Sequence, residues 1–295
     1  MLVLALLWGL SIPITKLGLA SMPPLTLTAL RFAIAVPVFM LFGLGRLRLP
    51  WKAVPKVAAL GIVGIGVGQV AQTFGIAGTA ASVSTIISAT IPLFVVVFAS
   101  LRLRQSVGRL QRLGLLAAFG GIALVAFGQG DGASGLAGTT FSGVALVFLS
   151  AVTIAFYYVW SVELTQAFGT VTVSIWSTVA GFAVLMPFSA WEMSRTAFTL
   201  EPAAVAAAAY LGVLVTVAGL FLWLWLLRTV PARVAASVQF LQPVFGIAAS
   251  AAMFGDRMGP LFICGVVLIL VGVGLAISRQ RAARQVVAAE PSPVR

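Results

Sequence analysis

The sequence predicts an all-α, polytopic membrane protein with ten transmembrane helices in two inverted five-helix repeats, and three observations predict it. Of 295 residues 61% are hydrophobic and only 8% charged, with a mean hydropathy of +1.14, so there is too little polar surface to coat a water-soluble globule. Charges, proline pairs and Gly-rich turns divide the chain into ten apolar runs, each near the ~20 residues a helix needs to cross hydrocarbon. A late segment of the chain also repeats an earlier one at a fixed distance.

The ten runs are 2–20, 24–45, 54–77, 80–101, 110–128, 141–162, 171–190, 202–227, 232–254 and 259–278. The first, "MLVLALLWGL", has the look of a signal-peptide core. No basic residue precedes it, however, and Trp8, Pro13 and Lys16 follow without a small-residue cleavage site, so it reads as the start of a membrane span. The lone cysteine, Cys264, has no intramolecular disulfide partner and reads as a small apolar filler.

Basic residues set the orientation. With the N-terminus inside, the inner segments hold Arg46, Arg48, Lys52, Lys56, Arg102, Arg104, Arg109, Arg112, Arg228, Arg233, Arg279, Arg281, Arg284 and Arg295, fourteen in all. The outer segments hold two, Arg195 and Arg257. This bias predicts both termini in the cytoplasm of a bacterial-type inner membrane. It also accounts for the net charge of +12 as topology, so no nucleic-acid partner is implied. The turn between spans 6 and 7 is the weak point, since it carries Glu163 and no basic residue.

Sliding the sequence by 151 residues lays 81–124 on 232–275 without a gap. Pro92 meets Pro243, Phe94 Phe245, Gly108 Gly259, Gly114 Gly265 and Gly121 Gly272, with Ala81 on Ala232, Val83 on Val234, Leu110 on Leu261 and Leu124 on Leu275. Prolines and glycines thus coincide at helix-bending and helix-packing positions. A duplication of five spans places the second copy upside down in the bilayer, a plan recurrent in secondary transporters. The predicted organisation is residues 1–128 as the first repeat, 129–140 as a Gly-rich linker, 141–278 as the second repeat, and 279–295 as a basic, disordered cytoplasmic tail.

Polar residues inside the spans are the candidates for a path. Gln69, Gln72 and Thr73 stand at i, i+3 and i+4, on one helix face. Amides in hydrocarbon must face protein or water, so they either bond to a neighbouring helix or line a cavity. Gln239 and Gln242, next to Pro243, repeat the pattern in the other half and favour the cavity. In "FYYVWS", Tyr157 and Trp160 share a face with Thr153, as interfacial anchors or as an aromatic wall. Trp223, in register with Thr216 and Gly219, is the third aromatic candidate. The glycines of "GIVGIGVG" (61–68) follow no strand and precede no Lys-Ser/Thr, so they read as a surface for close helix packing and not as a phosphate loop.

Two cations enter the spans. Arg31 lies seven residues, ~10 Å, beyond Pro24, and Lys16 lies near the end of the first span. Each is either paired or snorkelling, or supplies positive potential to a carboxylate passing outward. Lys16 is the better candidate for the second role. None of the six acids falls in mid-membrane: Asp131, Glu192, Glu201 and Asp256 read as outer-segment residues, Glu163 lies at the inner end of span 6 and Glu290 in the tail. The chain also has no histidine. A carboxylate proton relay, organic cations as substrates, a metal centre and enzyme chemistry are therefore not expected.

At "WGLSIPITKLGLASMPPLTLTALRF" (8–32) and "AGTAASVSTIISATIPLFVVVFA" (77–99) the chain resembles the EamA branch of the drug/metabolite transporter superfamily. The resemblance is carried by Trp8, Gly9, Lys16, Gly18, Pro24, Leu30, Arg31 and Phe32, and by the Ala/Ser pattern at Pro92 repeated around Pro243. It implies export of small metabolites by a ten-helix carrier without a cofactor. The aromatic-rich character is also similar to the YddG-type exporters of aromatic amino acids. Where such proteins often carry Gly-Glu after helices 4 and 9, this chain has Arg104-Gln105 and Gly255-Asp256. The expected function is a secondary transporter of small neutral or zwitterionic metabolites, foremost apolar or aromatic amino acids, working by uniport or exchange. Its partners would be that substrate and the lipid bilayer, with the monomer as the favoured state. Organic-anion or phosphate-ester carriage, or a passive channel, is the alternative.

Overall fold

A proline pair opens the second helix: Pro23 is extended, and Pro24 occupies the first helical position, where its missing N–H is no loss. Similar local signals set the other elements of the computed structural model, which describes residues 2–43, 47–103, 108–127, 139–229, 238–256 and 258–289. All are helical, with no strand among the described residues. We number the helices α1 (Leu2–Gly9 and Ser11–Gly18), α2 (Pro24–Phe42), α3 (Val54–Ala77), α4 (Ala81–Ser88 and Ile91–Leu103), α5 (Arg109–Phe127), α6 (Phe141–Phe168), α7 (Thr170–Arg195), α8 (Pro202–Thr229), α9 (Val238–Phe254) and α10 (Pro260–Ala289). Six contain spans long and apolar enough to cross a bilayer, and four hold shorter apolar stretches. Large side chains such as Leu116, Phe188 and Val267 face outward, as a lipid-facing surface requires.

The breaks have local causes. Pro13 cannot donate to the carbonyl of Gly9, and α1 is interrupted at Leu10. Pro92 cannot donate to Ser88, and α4 is interrupted after Ser88. Thr140 caps α6 by accepting the N–H of Gly143. Gly169, at φ +83°, turns α6 directly into α7.

Several boundaries differ from the sequence reading. Helix α6 continues to Phe168 and α7 to Arg195, because no breaker intervenes before Gly169 or after Pro187. Glu192 is thereby moved from an outer segment into the last turns of α7. Helix α10 runs past residue 278 to Ala289, through "SRQRAARQVVAA", which is rich in helix formers and free of Gly and Pro. Most of the linker, and residues 230–237, lie outside the described residues.

Two helices leave the α-helical ladder. Ile62–Val67 of α3 and Tyr210–Ala218 of α8 are π-helical. A shift of 151 residues carries 62–67 onto 213–218, inside the second segment. The packing repeats in the same way: α1 packs on α8 and α9 as α6 packs on α3 and α4, and α2 packs on α8 as α7 packs on α3. Helices α2 and α7, α4 and α9, and α5 and α10 pack on each other.

At the α5–α10 contact the backbones nearly touch. A Cβ on Gly121 would sit 2.7 Å from the carbonyl oxygen of Gly265, and one on Gly272 would strike that of Gly114. These four glycines form the two pairs that coincide in the 151-residue repeat, and their contacts cross between the pairs. A two-fold relation demands this pattern.

Candidate functional site

The polar residues of α2, α3 and α8 meet in the interior around Arg31. Its Nη1 donates to Oε1 of Gln69 at 2.7 Å, while Nε and Nη2 both donate to Oγ1 of Thr216 at 3.1 and 3.0 Å. Thr216 donates its own proton to the carbonyl of Leu211, five residues back, a partner that the π-helical winding brings into reach. Thr73 donates to the carbonyl of Gln69 and accepts from Thr28. Arg31 is therefore paired across the bundle and does not snorkel outward. Gln72, one turn from Gln69, has no side-chain hydrogen bond among the described residues.

An aromatic pair flanks this centre. Trp8 of α1 donates through Nε1 to the carbonyl of Val215, the neighbour of Thr216, at 3.2 Å. Its indole covers Gly219, where any larger residue would collide with it. Trp223, four residues on, lies 5.8 Å from Trp8 between ring centroids, tilted by 43°. Thr216, Gly219 and Trp223 stand at helical spacing, so the pair continues the face of α8 that holds Arg31. Leu241 and Phe245 of α9 pack on the same cluster, which places Gln242 beside it, with its backbone carbonyl against Gly9. The side chain of Gln239 lies outside the described residues.

Lys16 does not join this centre. Its ammonium has three donors, and they reach the carbonyls of Ile76, Ala77 and Thr79 at 2.9, 3.1 and 2.7 Å. It caps the C-terminal end of α3, where unpaired carbonyls and the helix dipole favour a cation. Any role in reading a passing carboxylate would require it to leave all three.

Tyr157 and Trp160 form a separate cluster with Val57, Leu60 and Val173. Tyr157 packs where Gly64 leaves room for it on α3. Trp160 is stacked on Phe156 at 4.4 Å and meets Phe98 at 5.6 Å in a T-shaped arrangement, and the Arg102 guanidinium lies over its ring at 5.1 Å. Arg102 is also ion-paired with Glu163 at 2.6 Å. Sequence reasoning grouped these residues with the glutamines; their apolar cluster is distinct from the one that holds Trp8 and Trp223.

Three features were missed. Glu192 is buried and accepts from the backbone N–H groups of Leu25 and Thr26 and from the Thr26 hydroxyl. Asp256 accepts from the N–H of Ser82 in the first turn of α4. Thr28 was not singled out, although its spacing from Arg31 put it on the same face of α2.

The profile of the EamA-like transporter family matches residues 1–127 and 141–278, most of the chain. The chain belongs to that family. Among its relatives, an uncharacterized transporter of Archaeoglobus fulgidus is 26% identical over 92% of this chain and 95% of its own length. A probable amino-acid metabolite efflux pump of Salmonella typhimurium is 24% identical over 92% and 91%, respectively. The uncharacterized inner membrane transporter YedA of Escherichia coli is 23% identical over 91% and 89%. A solved crystal structure aligns with this chain over 96% of both, with a TM-score of 0.67 and 20% sequence identity, a likeness of fold. In this EamA-like transporter the motif residues Trp8 and Arg31 are thus neighbours across α8, whereas Lys16 serves the end of α3.

Proposed function

We propose that this EamA-like transporter exports zwitterionic amino acids with apolar or aromatic side chains across a bacterial-type inner membrane, both termini being cytoplasmic. The observation that carries this reading is the adjacency of a polar centre (Arg31, Gln69, Thr73, Thr216) and an aromatic pair (Trp8, Trp223) on one face of α8. A polar head group is accommodated by the first and an apolar side chain by the second. The Salmonella relative's name, a probable amino-acid metabolite efflux pump, supports the substrate class.

Access alternates as two five-helix halves, 1–128 and 141–278, rock against each other. The crossed glycine contacts of α5 and α10 and the matched π-helical segments of α3 and α8 support this division. Transport runs as uniport or exchange without a carboxylate proton relay. In support, Glu192 and Asp256 are engaged by helix N-termini and Glu163 by Arg102.

Counterflow in proteoliposomes with a panel of amino acids tests the reading: saturable exchange of apolar and aromatic amino acids is expected. Exchange of phosphate esters or dicarboxylates alone would replace it with organic-anion carriage. Uphill accumulation driven by a steady pH gradient would remove the uniport part. Labelling that finds the two termini on different sides would remove the orientation.

A further inference from the structure

Arg31 carries a charge that faces no carboxylate among the described residues. Its partners are an amide, a hydroxyl and the face of the Phe32 ring, whose centroid lies 5.5 Å from Cζ. A guanidinium has five N–H donors. Three are engaged, leaving one on each of Nη1 and Nη2.

The partners fix the group in place without cancelling its charge. Thr216 sends its own proton to Leu211, so toward Arg31 it acts only as an acceptor. Gln69 turns its carbonyl oxygen to the guanidinium. A cation serving only to tie three helices together would be less costly as a neutral donor, because an uncompensated charge in the bundle interior is unfavourable until an anion arrives. Two N–H groups on one planar fork match the two oxygens of a carboxylate.

Lys16, the cation that the sequence favoured for this task, has no donor to spare. Gln72, one turn from Gln69, has no side-chain hydrogen bond among the described residues, and Trp8 and Trp223 lie along the same face of α8 as Thr216. A bound amino acid would thus have its carboxylate at Arg31, polar groups for its ammonium nearby and an aromatic surface for its side chain.

We propose that Arg31 is the specificity residue that reads the substrate's carboxylate, with Gln69 and Thr216 as the positioning residues that hold it ready. This rests on the amino-acid reading above and deepens it.

The test uses purified full-length protein in detergent, with ligand-induced thermal shifts titrated to give affinities. The panel holds apolar and aromatic amino acids, their amides, and small monocarboxylates. Wild type should bind the acids about tenfold or more tightly than the amides, and Arg31→Gln should remove that preference by weakening acids while leaving amides within about twofold. Arg31→Lys keeps the charge but loses the fork, and should reduce the preference part-way; it serves if Arg31→Gln does not fold, and an unchanged preference in it overturns the proposal.

Equal weakening of acids and amides by Arg31→Gln overturns the carboxylate role and leaves the amino-acid reading standing. Arg31-dependent binding of monocarboxylates but of no amino acid supports the carboxylate role and sinks the amino-acid reading. Wild type that binds no carboxylate of the panel overturns the proposal outright.

Discussion

The carboxylate of Glu192 accepts the backbone N–H of Thr26 at 2.7 Å and the Thr26 hydroxyl at 2.8 Å. Pro23, at the N-cap of α2, has no side chain that can cap, so an acid from α7 does so instead. The bond joins α2 to α7 with charge assistance and in near-complete burial. Glu192→Gln should lower stability by about 1–3 kcal/mol, read as a lower unfolding midpoint in detergent. Counterflow per folded molecule should stay close to wild type. An unchanged midpoint would mean that the cap contributes nothing.

Lys16 makes a comparable connection at the end of α3. Removing its ammonium leaves three carbonyls without their donor. Lys16→Met should therefore cost about 1–3 kcal/mol and reduce abundance in the membrane. Transport by the molecules that remain should be preserved. Normal abundance with transport lost is the outcome that would return Lys16 to the substrate path.

What the sequence made legible follows from where each signal resides. Helix number and most starts come from composition and proline, which are local, and Pro23-Pro24 marks α2 without ambiguity. The shared face of Gln69 and Thr73 follows from spacing alone; within α3 the Thr73 hydroxyl donates to the Gln69 carbonyl one turn back. Arg31 was visible as an anomaly, but its partners lie 38 and 185 residues away, on other helices. The partners of Lys16 were not legible, because its acceptors are main-chain carbonyls, which every residue carries. The π-helical segment of α3 was invisible for a related reason: its glycines signal close packing but not the register of the backbone ladder.

Gly121 and Gly272 test the two-fold packing. A Cβ on Gly121 would meet the carbonyl oxygen of Gly265 at 2.7 Å, and one on Gly272 that of Gly114 at 2.5 Å. Gly121→Val and Gly272→Val should each destabilise by about 1–3 kcal/mol through overpacking, and by similar amounts because the 151-residue repeat makes their surroundings equivalent. Gly120, with nothing within 4 Å of an added Cβ, is the control: Gly120→Ala should be neutral or slightly stabilising. Unequal losses at Gly121 and Gly272 would argue against an equivalent contact.

Trp160 and Trp223 were both candidates for the aromatic wall, and the fold gives them different surroundings. Trp160 is engaged by Phe156, Phe98 and Arg102, whereas Trp223 has Trp8 at its side and lies along the face of α8 that carries Thr216. Trp160→Ala should then act on stability, at about 1–3 kcal/mol, below the cost of truncating a fully buried tryptophan because the residue is only half-buried. Its counterflow preference between aromatic and small apolar amino acids should move by less than about twofold. Trp223→Ala should instead reduce that preference by about tenfold, the scale of one lost aromatic contact with a substrate side chain. Initial rates measured on both variants in the same liposomes decide the matter. If Trp160→Ala shifts the preference and Trp223→Ala does not, the wall lies between α4 and α6, and the polar centre at Arg31 has no aromatic partner.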